Sequence, residues 1–363
     1  MLSRLMLKNL HQFSRLHSLG RPSVSTDKLS PGYLGISDFS HRLDRRRPTT
    51  KSIILFHPSD ADRGALRIID LPMKAVLNPS CVAVAAPAVL AGCHSGQLGI
   101  VDHPRSFPGV VNEDVTFYSS ALERNMTYRV YLPREVSAGT KLPTVYLLHG
   151  CGTSFRDWSN YSDVGAYAAK GFILVMVDGA CSYYLNAALN SKDRYEDYFV
   201  HDLISDAESR FPVLRDRGNR AVVGVSMGGF AAVKLALSRP DLFAFVGAIS
   251  PAIDVPSRAF SARRWSQSMR FRTIFGPSGS ETRLHSDPFV LVKSADPAHT
   301  PYLYITAGEQ EPLLPPIRQF VTLLKLRNYA DEFHTKPGGH DWNEWGAQIP
   351  GCFESLMAHI HQP

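Results

Sequence analysis

Ser226 has neighbours that could make it a nucleophile, because it lies within the motif Gly224-Val225-Ser226-Met227-Gly228. The small and β-branched residues at 221–223 predict a strand, and residues 230–237 predict a helix. A strand-to-helix turn with this glycine spacing is typical of a nucleophile elbow, where the crowded backbone leaves no room for a Cβ atom at either glycine. The turn would lift the serine hydroxyl clear of the sheet, where it could attack a carbonyl carbon.

The motif alone is weak evidence, since Gly-x-Ser-x-Gly is expected by chance in roughly one chain of this length in ten. A serine hydroxyl also needs a base, and His340 is the candidate among the 14 histidines. It follows Gly338-Gly339 late in the chain, after a predicted strand, and the two glycines would let the loop present the ring. We expect His340 to take the Ser226 proton and return it to the leaving group; a loop histidine with purely structural hydrogen bonds is the alternative.

The predicted elements bring these residues to one edge of a sheet. Near-continuous apolar strands alternate with helices from residue 113 onward, which indicates an α/β fold with a mostly parallel sheet and helices on both faces. The carboxyl ends of parallel strands meet at one edge, so Ser226, His149-Gly150, the loop 308–311 and His340 are expected there. The predicted strands are 115–118, 128–132, 144–148, 172–177, 220–225, 245–249, 302–306 and 332–336, of which the first two form a hairpin. The predicted helices are 161–169, 198–211, 229–238, 316–326 and 344–360.

From about residue 113 to 361 the chain resembles the putative-esterase (esterase D-like) family, which includes tributyrin-type carboxylesterases, S-formylglutathione hydrolases, feruloyl esterases and mycolyltransferases. Several separate motifs carry this resemblance, in the family's order. They are Tyr131-Leu132-Pro133, Leu147-Leu148-His149-Gly150, Val177-Asp178-Gly179, Tyr195-Glu196-Asp197-Tyr198, the elbow, Asp287-Pro288-Phe289 and Gly338-Gly339-His340-Asp341-Trp342. The resemblance implies the α/β-hydrolase fold and a serine esterase whose triad follows the chain order Ser, acid, His.

The acid of the triad is also implied by the resemblance. Many family members carry Gly-x-x-Asp after the strand at 302–306, and Gly308-x-x-Glu311 stands in that place here. Glu311 is therefore predicted to hold the imidazole tautomer of His340 and to stabilise the imidazolium. Glu309 and Asp254 are the alternatives.

The resemblance further implies an oxyanion hole built from two backbone N–H groups, those of Met227 and Cys151. A Cys151 nucleophile is the competing interpretation, but this cysteine lacks an elbow. His149 is expected to be structural. Cys151 and Cys181 both follow predicted strands, and a disulfide between them is one expectation for an oxidising compartment.

Four residues near strand ends are predicted to line the substrate cleft, although core packing is an equal alternative for the aromatic ones. They are Trp158, Asp178, Tyr183 and Tyr184. Trp342 and Trp345 are expected to brace the His340 loop. The segment 256–285 is predicted to be either a lid or acyl-pocket insertion or a plain surface excursion.

The first 112 residues differ in composition from the rest. Residues 1–72 are predicted to be an irregular basic leader or a mis-extended start, and 94–112 a linker to an esterase domain at 113–363. Between them, Met73-Lys74 precedes an apolar run that ends in Leu90-Ala91-Gly92-Cys93. This ending resembles the lipobox of bacterial lipoproteins and predicts a signal peptide at 73–93 with Cys93 lipidated. Another export signal and a buried strand are the alternatives.

Composition limits the partners and cofactors. The formal charge of +6 equals the excess in residues 1–72, which hold 12 Lys and Arg against 6 Asp and Glu, so a nucleic-acid surface is not expected. The five cysteines lack zinc spacing, and neither a metal nor another cofactor is expected.

The sequence thus predicts a serine carboxylester hydrolase that acts through an acyl-enzyme intermediate on small or carbohydrate-linked esters. An acyltransferase to a sugar or alcohol acceptor and an S-formylglutathione-type thioesterase are alternatives that would use the same residues. A non-catalytic surface lipoprotein is the alternative from another class. The expected location is outside the cytoplasm, membrane-anchored or periplasmic, with a cytoplasmic enzyme as the alternative.

Overall fold

The computed structural model describes residues 102–360. The predicted leader, the predicted signal peptide and Cys93 lie outside the described residues. Between residues 102 and 360, no helix combines the length and the apolar character needed to cross a membrane.

The described residues form an eight-stranded sheet with the strand order β1-β2-β4-β3-β5-β6-β7-β8. The pairs β1–β2 and β2–β4 are antiparallel, and all the other pairs are parallel. The predicted mixed sheet, with its antiparallel hairpin at the front edge, is confirmed. The strands are β1 (Val110–Ser119), β2 (Arg124–Pro133), β3 (Thr144–Leu148), β4 (Ile173–Val177), β5 (Arg220–Val225), β6 (Phe245–Ile249), β7 (Tyr302–Gly308) and β8 (Asp331–Lys336).

Helices cover both faces of this sheet. The α-helices are α1 (Asp157–Tyr161), α2 (195–210), α3 (Met227–Ser238), α4 (Trp265–Phe275), α5 (Glu281–His285), α6 (Pro288–Ser294), α7 (Leu314–Leu326) and α8 (Trp342–His359). Helix α2 contains a π-helical segment, Tyr198–Leu203, and a 3-10 helix, Val164–Lys170, follows α1. The helix predicted at 161–169 is instead this 3-10 helix, which begins after α1 has ended at Tyr161, and α2 begins three residues before its predicted start.

The central strands β3, β4 and β6 are buried along their whole length because each face of the sheet has its own core. In β3, Tyr146 and Leu148 belong to one core cluster, whereas Val145 and Leu147 belong to the cluster on the opposite side. Successive side chains of a strand point to opposite faces, so a strand that is buried on both faces is a nearly continuous run of apolar residues.

The predicted linker is wrong for residues 102–112, which belong to the folded domain. Strand β1 begins at Val110, and the hydroxyl of Tyr131 donates to the carbonyl oxygen of Arg105 at 2.7 Å. The guanidinium of Arg129, only 4% exposed, donates to the carboxylates of Asp102 and Asp114 at 2.6 Å each. Composition alone could not reveal this, because the partner that fixes Asp102 lies 27 residues away in β2.

Candidate active site

Ser226 occupies a strained backbone conformation between β5 and α3, with φ of 54° and ψ of −110°. A non-glycine residue with positive φ is uncommon and persists only where the surroundings hold it. Here the Ser226 N–H donates to the carbonyl of Ile249 at 2.9 Å, and the Ser226 carbonyl accepts from the N–H groups of Phe230 and Ala252 at 3.0 Å each. The strand beside the elbow therefore maintains its geometry.

The two motif glycines are required by close backbone approach, as predicted. A Cβ atom on Gly224 would collide with the backbone of Gly228, and a Cβ atom on Gly228 would collide with the carbonyl group of Leu148 at the end of β3. The first turn of α3 thus lies directly against the end of the neighbouring strand.

The structure brings Ser226, His340 and Glu311 into one hydrogen-bonded chain. His340 Nε2 lies 2.9 Å from Ser226 Oγ, and His340 Nδ1 lies 2.7 Å from Glu311 Oε2. Because Nδ1 faces a carboxylate, it carries the ring hydrogen in the neutral imidazole, and Nε2 is left as an acceptor for the serine hydroxyl. This is the arrangement in which a histidine can remove the serine proton.

Glu311 is buried, whereas neither of the two alternative acids is. It is 4% exposed, and its Oε1 accepts the N–H of Gly308 at 3.1 Å. Glu309 is exposed to solvent, and Asp254 accepts from Arg258 through both oxygens, at 2.8 and 2.9 Å. Glu311 is therefore the acid that hydrogen-bonds to His340, as the motif Gly308-x-x-Glu311 predicted.

Two tryptophans brace the histidine loop, as predicted. The ring of Trp345 meets the ring of His340 edge-on at 5.0 Å between centroids. Trp342 in turn meets Trp345 at 5.2 Å.

A second buried carboxyl group beside this loop, Glu344, was missed by the sequence analysis. Glu344 is 3% exposed, and it accepts from Gln348 Nε2 at 2.7 Å and from Ser250 Oγ at 3.3 Å. Burial raises the pKa of the Glu344 carboxyl to about 6, and the nearby charge of Glu311 adds to the shift. The spacing Asp341-x-x-Glu344 at a helix start could have drawn attention to it, since Asp341 caps α8 by accepting the N–H of Glu344 at 3.2 Å.

The peptide between Gly150 and Cys151 is clamped from its carbonyl side. The Gly179 N–H donates to His149 Nε2 at 2.9 Å, so the ring hydrogen is on Nδ1, which lies 2.7 Å from the Gly150 carbonyl oxygen. Thr153 Oγ1 donates to the same oxygen at 2.9 Å. In a planar trans peptide the C=O and the following N–H point in opposite directions. The Cys151 N–H therefore points away from the clamp, and His149 has the structural role expected for it.

This peptide also lies beside the serine. An ideal Cβ on Gly150 would be 3.4 Å from the Cβ of Ser226. Within residues 102–360, neither the Cys151 N–H nor the Met227 N–H donates a hydrogen bond to another protein group. Both donors are thus free to receive a ligand oxygen.

Two of the predicted cleft residues are core residues instead. Trp158 has no exposed surface and meets Trp342 edge-on at 5.3 Å. Tyr184 is 1% exposed, and its hydroxyl accepts the N–H of His149 at 3.0 Å. The prediction that they line the cleft is wrong, because the loops after β3 and β4 fold their aromatic side chains inward.

Tyr183 is also buried, so its predicted cleft position is wrong as well. Its ring packs edge-on against Phe230, Phe271 and Phe275 at 5.3–5.7 Å between centroids. Asp178 remains partly exposed at the carboxyl end of β4, where its Oδ1 lies 3.3 Å from His149 Nε2. It is the one predicted cleft residue that retains access to solvent there.

A disulfide joins Cys151 to Cys181, with 4.5 Å between their Cα atoms. It links the loop after β3 to the loop after β4. The remaining cysteine of the described part, Cys352, is a buried free thiol. Residues 102–360 contain no group of three or more His, Cys, Asp or Glu side chains arranged to hold a metal ion.

The segment 256–285 packs against the site loops rather than forming a detached excursion. The N–H groups of Ala188 and Leu189 donate to the carbonyls of Ile274 and Thr273 at 2.9 and 3.0 Å. The segment also borders a cavity of about 380 Å³, which is not lined by any of the three hydrogen-bonded residues Ser226, His340 and Glu311. Three arginines stand among the lining residues of this cavity, namely Arg258, Arg272 and Arg283.

Comparison with known proteins decides the family. The family model described as Putative esterase matches residues 119–356. The chain belongs to this family. It is a carboxylic ester hydrolase with the α/β-hydrolase fold, as the sequence predicted.

Individual relatives agree with this assignment. The acetyl esterase of Caldicellulosiruptor saccharolyticus is 26% identical over 257 residues, which cover 66% of this chain and 96% of that protein. The endo-1,4-beta-xylanase/feruloyl esterase of Xylanibacter ruminicola is 28% identical over 159 residues, which cover 40% of this chain and 22% of that protein. FphF, a fluorophosphonate-binding serine hydrolase of Staphylococcus aureus, shares the fold with a TM-score of 0.60, 23% identity and coverage of 70% of this chain and 99% of that one.

The raised pKa of Glu344 predicts a pH-dependent stability. Its carboxyl binds a proton more tightly in the folded chain, at a pKa of about 6, than at its ordinary value of 4.5, so the folded state is destabilised progressively as pH rises through this window. Glu344→Gln removes this effect. The free energy of unfolding of the variant minus that of wild type should therefore increase by about 2 kcal/mol from below pH 4.5 to above pH 6.

Urea unfolding measured between pH 4 and 7.5 tests this expectation. Glu354→Gln, on the exposed face of the same helix, is the matched control for the loss of one carboxyl group. A difference between Glu344→Gln and wild type that stays constant over this range would contradict the interpretation.

Proposed function

We propose that Ser226, His340 and Glu311 are the catalytic triad of this ester hydrolase and that it works through an acyl-enzyme. The observation that carries the proposal is the continuous hydrogen-bonded chain from Glu311 Oε2 through the His340 ring to Ser226 Oγ. Each group faces the partner that its role requires, and the nucleophile lies at the carboxyl edge of the parallel strands.

In the first half-reaction, Ser226 Oγ attacks the ester carbonyl carbon while its proton passes to His340 Nε2. Glu311 stabilises the imidazolium that forms. The carbonyl oxygen becomes an oxyanion, which accepts hydrogen bonds from the N–H groups of Met227 and Cys151. The carbon–oxygen bond to the alcohol then breaks, and the alcohol leaves with the proton from His340.

In the second half-reaction, water replaces the alcohol. His340 takes a proton from the water as it attacks the acyl carbon, and the same two N–H groups hold the second oxyanion. The bond to Ser226 breaks, the proton returns to the serine, and the carboxylic acid is released.

The proposed substrates are small or carbohydrate-linked esters. Two relatives support this class: one is named an acetyl esterase and aligns over 96% of its length, and the other joins a feruloyl esterase to a xylanase. Asp178, at the edge of the site beside the clamped peptide, is the polar side chain that we propose contacts the substrate.

The triad assignment predicts a graded loss of activity. Ser226→Ala should lower kcat/KM for p-nitrophenyl acetate by at least about 10⁴-fold and abolish labelling by a fluorophosphonate. Glu311→Gln should lower kcat by about 10²–10⁴-fold, because the imidazolium loses its charged partner. Glu309→Gln, the matched control two residues away, should stay within about twofold of wild type, since an exposed surface side chain outside the hydrogen-bonded chain makes a small contribution. Equal labelling of wild type and Ser226→Ala would refute the mechanism.

The substrate class predicts the outcome of an ester panel. Acetyl esters, including acetylated sugars and xylan fragments, should have higher kcat/KM values than long-chain acyl esters, and addition of sugar or alcohol acceptors should leave the free acid as the main product. Preferential transfer of the acyl group to the acceptor would instead identify an acyltransferase. A preference for S-formylglutathione would identify a thioesterase.

We also propose that the enzyme acts outside the cytoplasm, anchored through lipidated Cys93. The support is the lipobox-like Leu90-Ala91-Gly92-Cys93, together with the Cys151–Cys181 disulfide, since disulfides form in oxidising compartments.

Intact mass and fractionation test the anchor. When the full chain is produced in a bacterial host, the mature protein should begin at a lipid-modified Cys93 and partition with the membranes. Cys93→Ser should shift it to the soluble fraction. An unmodified protein that still begins at Met1 would contradict the anchor.

A further inference from the structure

The disulfide lies on the residue whose backbone N–H is the proposed oxyanion donor. The Gly150 side of the Gly150–Cys151 peptide is clamped by hydrogen bonds to the carbonyl oxygen. The Cys151 side is bonded covalently to Cys181. The orientation of this donor is thus fixed from both ends of one peptide unit.

Both the hydrogen-bonded clamp and the disulfide attach this peptide to the loop after β4. The N–H of Gly179 holds His149, which holds the Gly150 carbonyl, and Cys181, two residues later, holds the Cys151 side chain. If the disulfide is reduced, the hydrogen bonds to the Gly150 carbonyl remain, but Cys151 is no longer bonded to Cys181. An oxyanion donor is effective because its N–H is already positioned where the negative charge develops. Motion of Cys151 therefore weakens binding of the transition state more than binding of the substrate.

The bond is also accessible to a reductant. Cys151 is exposed and Cys181 is partly exposed. Arg270 Nη1, on α4 of the segment 256–285, lies 3.3 Å from Cys181 Sγ and 3.6 Å from Cys151 Sγ. A neighbouring guanidinium stabilises the thiolate that leaves during thiol–disulfide exchange.

We propose that the Cys151–Cys181 disulfide is a reducible positioning device for the oxyanion donor, so that the oxidised enzyme turns over esters faster than the reduced enzyme. The proposal rests on the proposed function, because it assumes that the Cys151 N–H binds the oxyanion. The co-reactant is a dithiol. One thiolate attacks a sulfur of the disulfide and displaces the other sulfur, and the second thiol then resolves the mixed disulfide. Two electrons and two protons pass to the cysteines, and the dithiol becomes a cyclic disulfide.

The experiment compares kcat and KM for p-nitrophenyl acetate before and after treatment with dithiothreitol. Reduction should lower kcat by about 5-fold to 50-fold, below the 10²–10³-fold loss typical of deleting a donor outright, because the clamp through His149 and Thr153 remains. The KM should change less than about threefold, since ground-state contacts are retained. Reoxidation should restore kcat.

A double variant, Cys151→Ser with Cys181→Ser, separates the disulfide from other thiols. It should show the lowered kcat with and without dithiothreitol. Affinity for a boronic acid that forms a tetrahedral adduct should fall in parallel with kcat, which a loss of general stability at unchanged fold would not produce. Cys352 is a free thiol and offers dithiothreitol no bond to reduce, and its burial, which raises the pKa of the thiol, keeps it from attacking the oxidised reagent in the folded protein.

The outcomes distinguish the two proposals. If Ser226→Ala is inactive but reduction leaves the wild-type kcat within twofold, the disulfide proposal is overturned and the proposed function stands. If a double variant that melts cooperatively has the oxidised wild-type kcat, the disulfide proposal is likewise overturned. If Ser226→Ala retains activity, the proposed function itself fails.

Discussion

The first turn of α3 packs directly on the end of β3, with no side chain between the two backbones. Gly228 lies against the carbonyl group of Leu148, and Gly224 lies against Gly228. This contact forces the chain to turn sharply at Ser226 and accept a positive φ there. It also places the residues that follow β3 beside the serine, so one packing constraint sets both the nucleophile and the loop of the proposed oxyanion hole.

The other half of the site depends on the loops after β7 and β8, which pack against each other at the carboxyl ends of these strands. The loops after β7 and β8 approach so closely that a Cβ on Gly308 would lie 2.5 Å from the carbonyl oxygen of Gly338. The N–H of Gln310 donates to that same carbonyl at 3.0 Å. Because the loops are tied together, Glu311 and His340 meet although 29 residues separate them. Glu344 packs against Gly338 and places a second carboxyl group in this region. Its burial removes the carboxyl group from water, which disfavours the charged form.

The loop after β4 connects these rigid parts to the segment 256–285. Its Gly179 and Cys181 hold the peptide before and at Cys151, while the ring of Tyr183 packs under Phe271 and Phe275 of α4. An esterase site of this kind is therefore assembled from the carboxyl ends of five strands (β3, β4, β5, β7 and β8) and one covalent link, and the covalent link is the part that chemistry outside the enzyme can alter.

The sequence by itself predicted the parallel sheet, the elbow at Ser226 and the late loop of His340, whereas Glu311 was predicted only through the resemblance to a known family. The sheet and the elbow can be recognised locally, because strands buried on both faces are continuous apolar runs and Gly-x-Ser-x-Gly is the pattern that a crowded turn requires. Only the tertiary structure decided that Trp158, Tyr183 and Tyr184 face the core, since an aromatic ring after a strand can turn either way and the choice depends on distant partners. The docking of residues 102–112, the burial of Glu344 and the direction of the Cys151 N–H likewise depend on contacts between segments far apart in the chain, which no local pattern encodes.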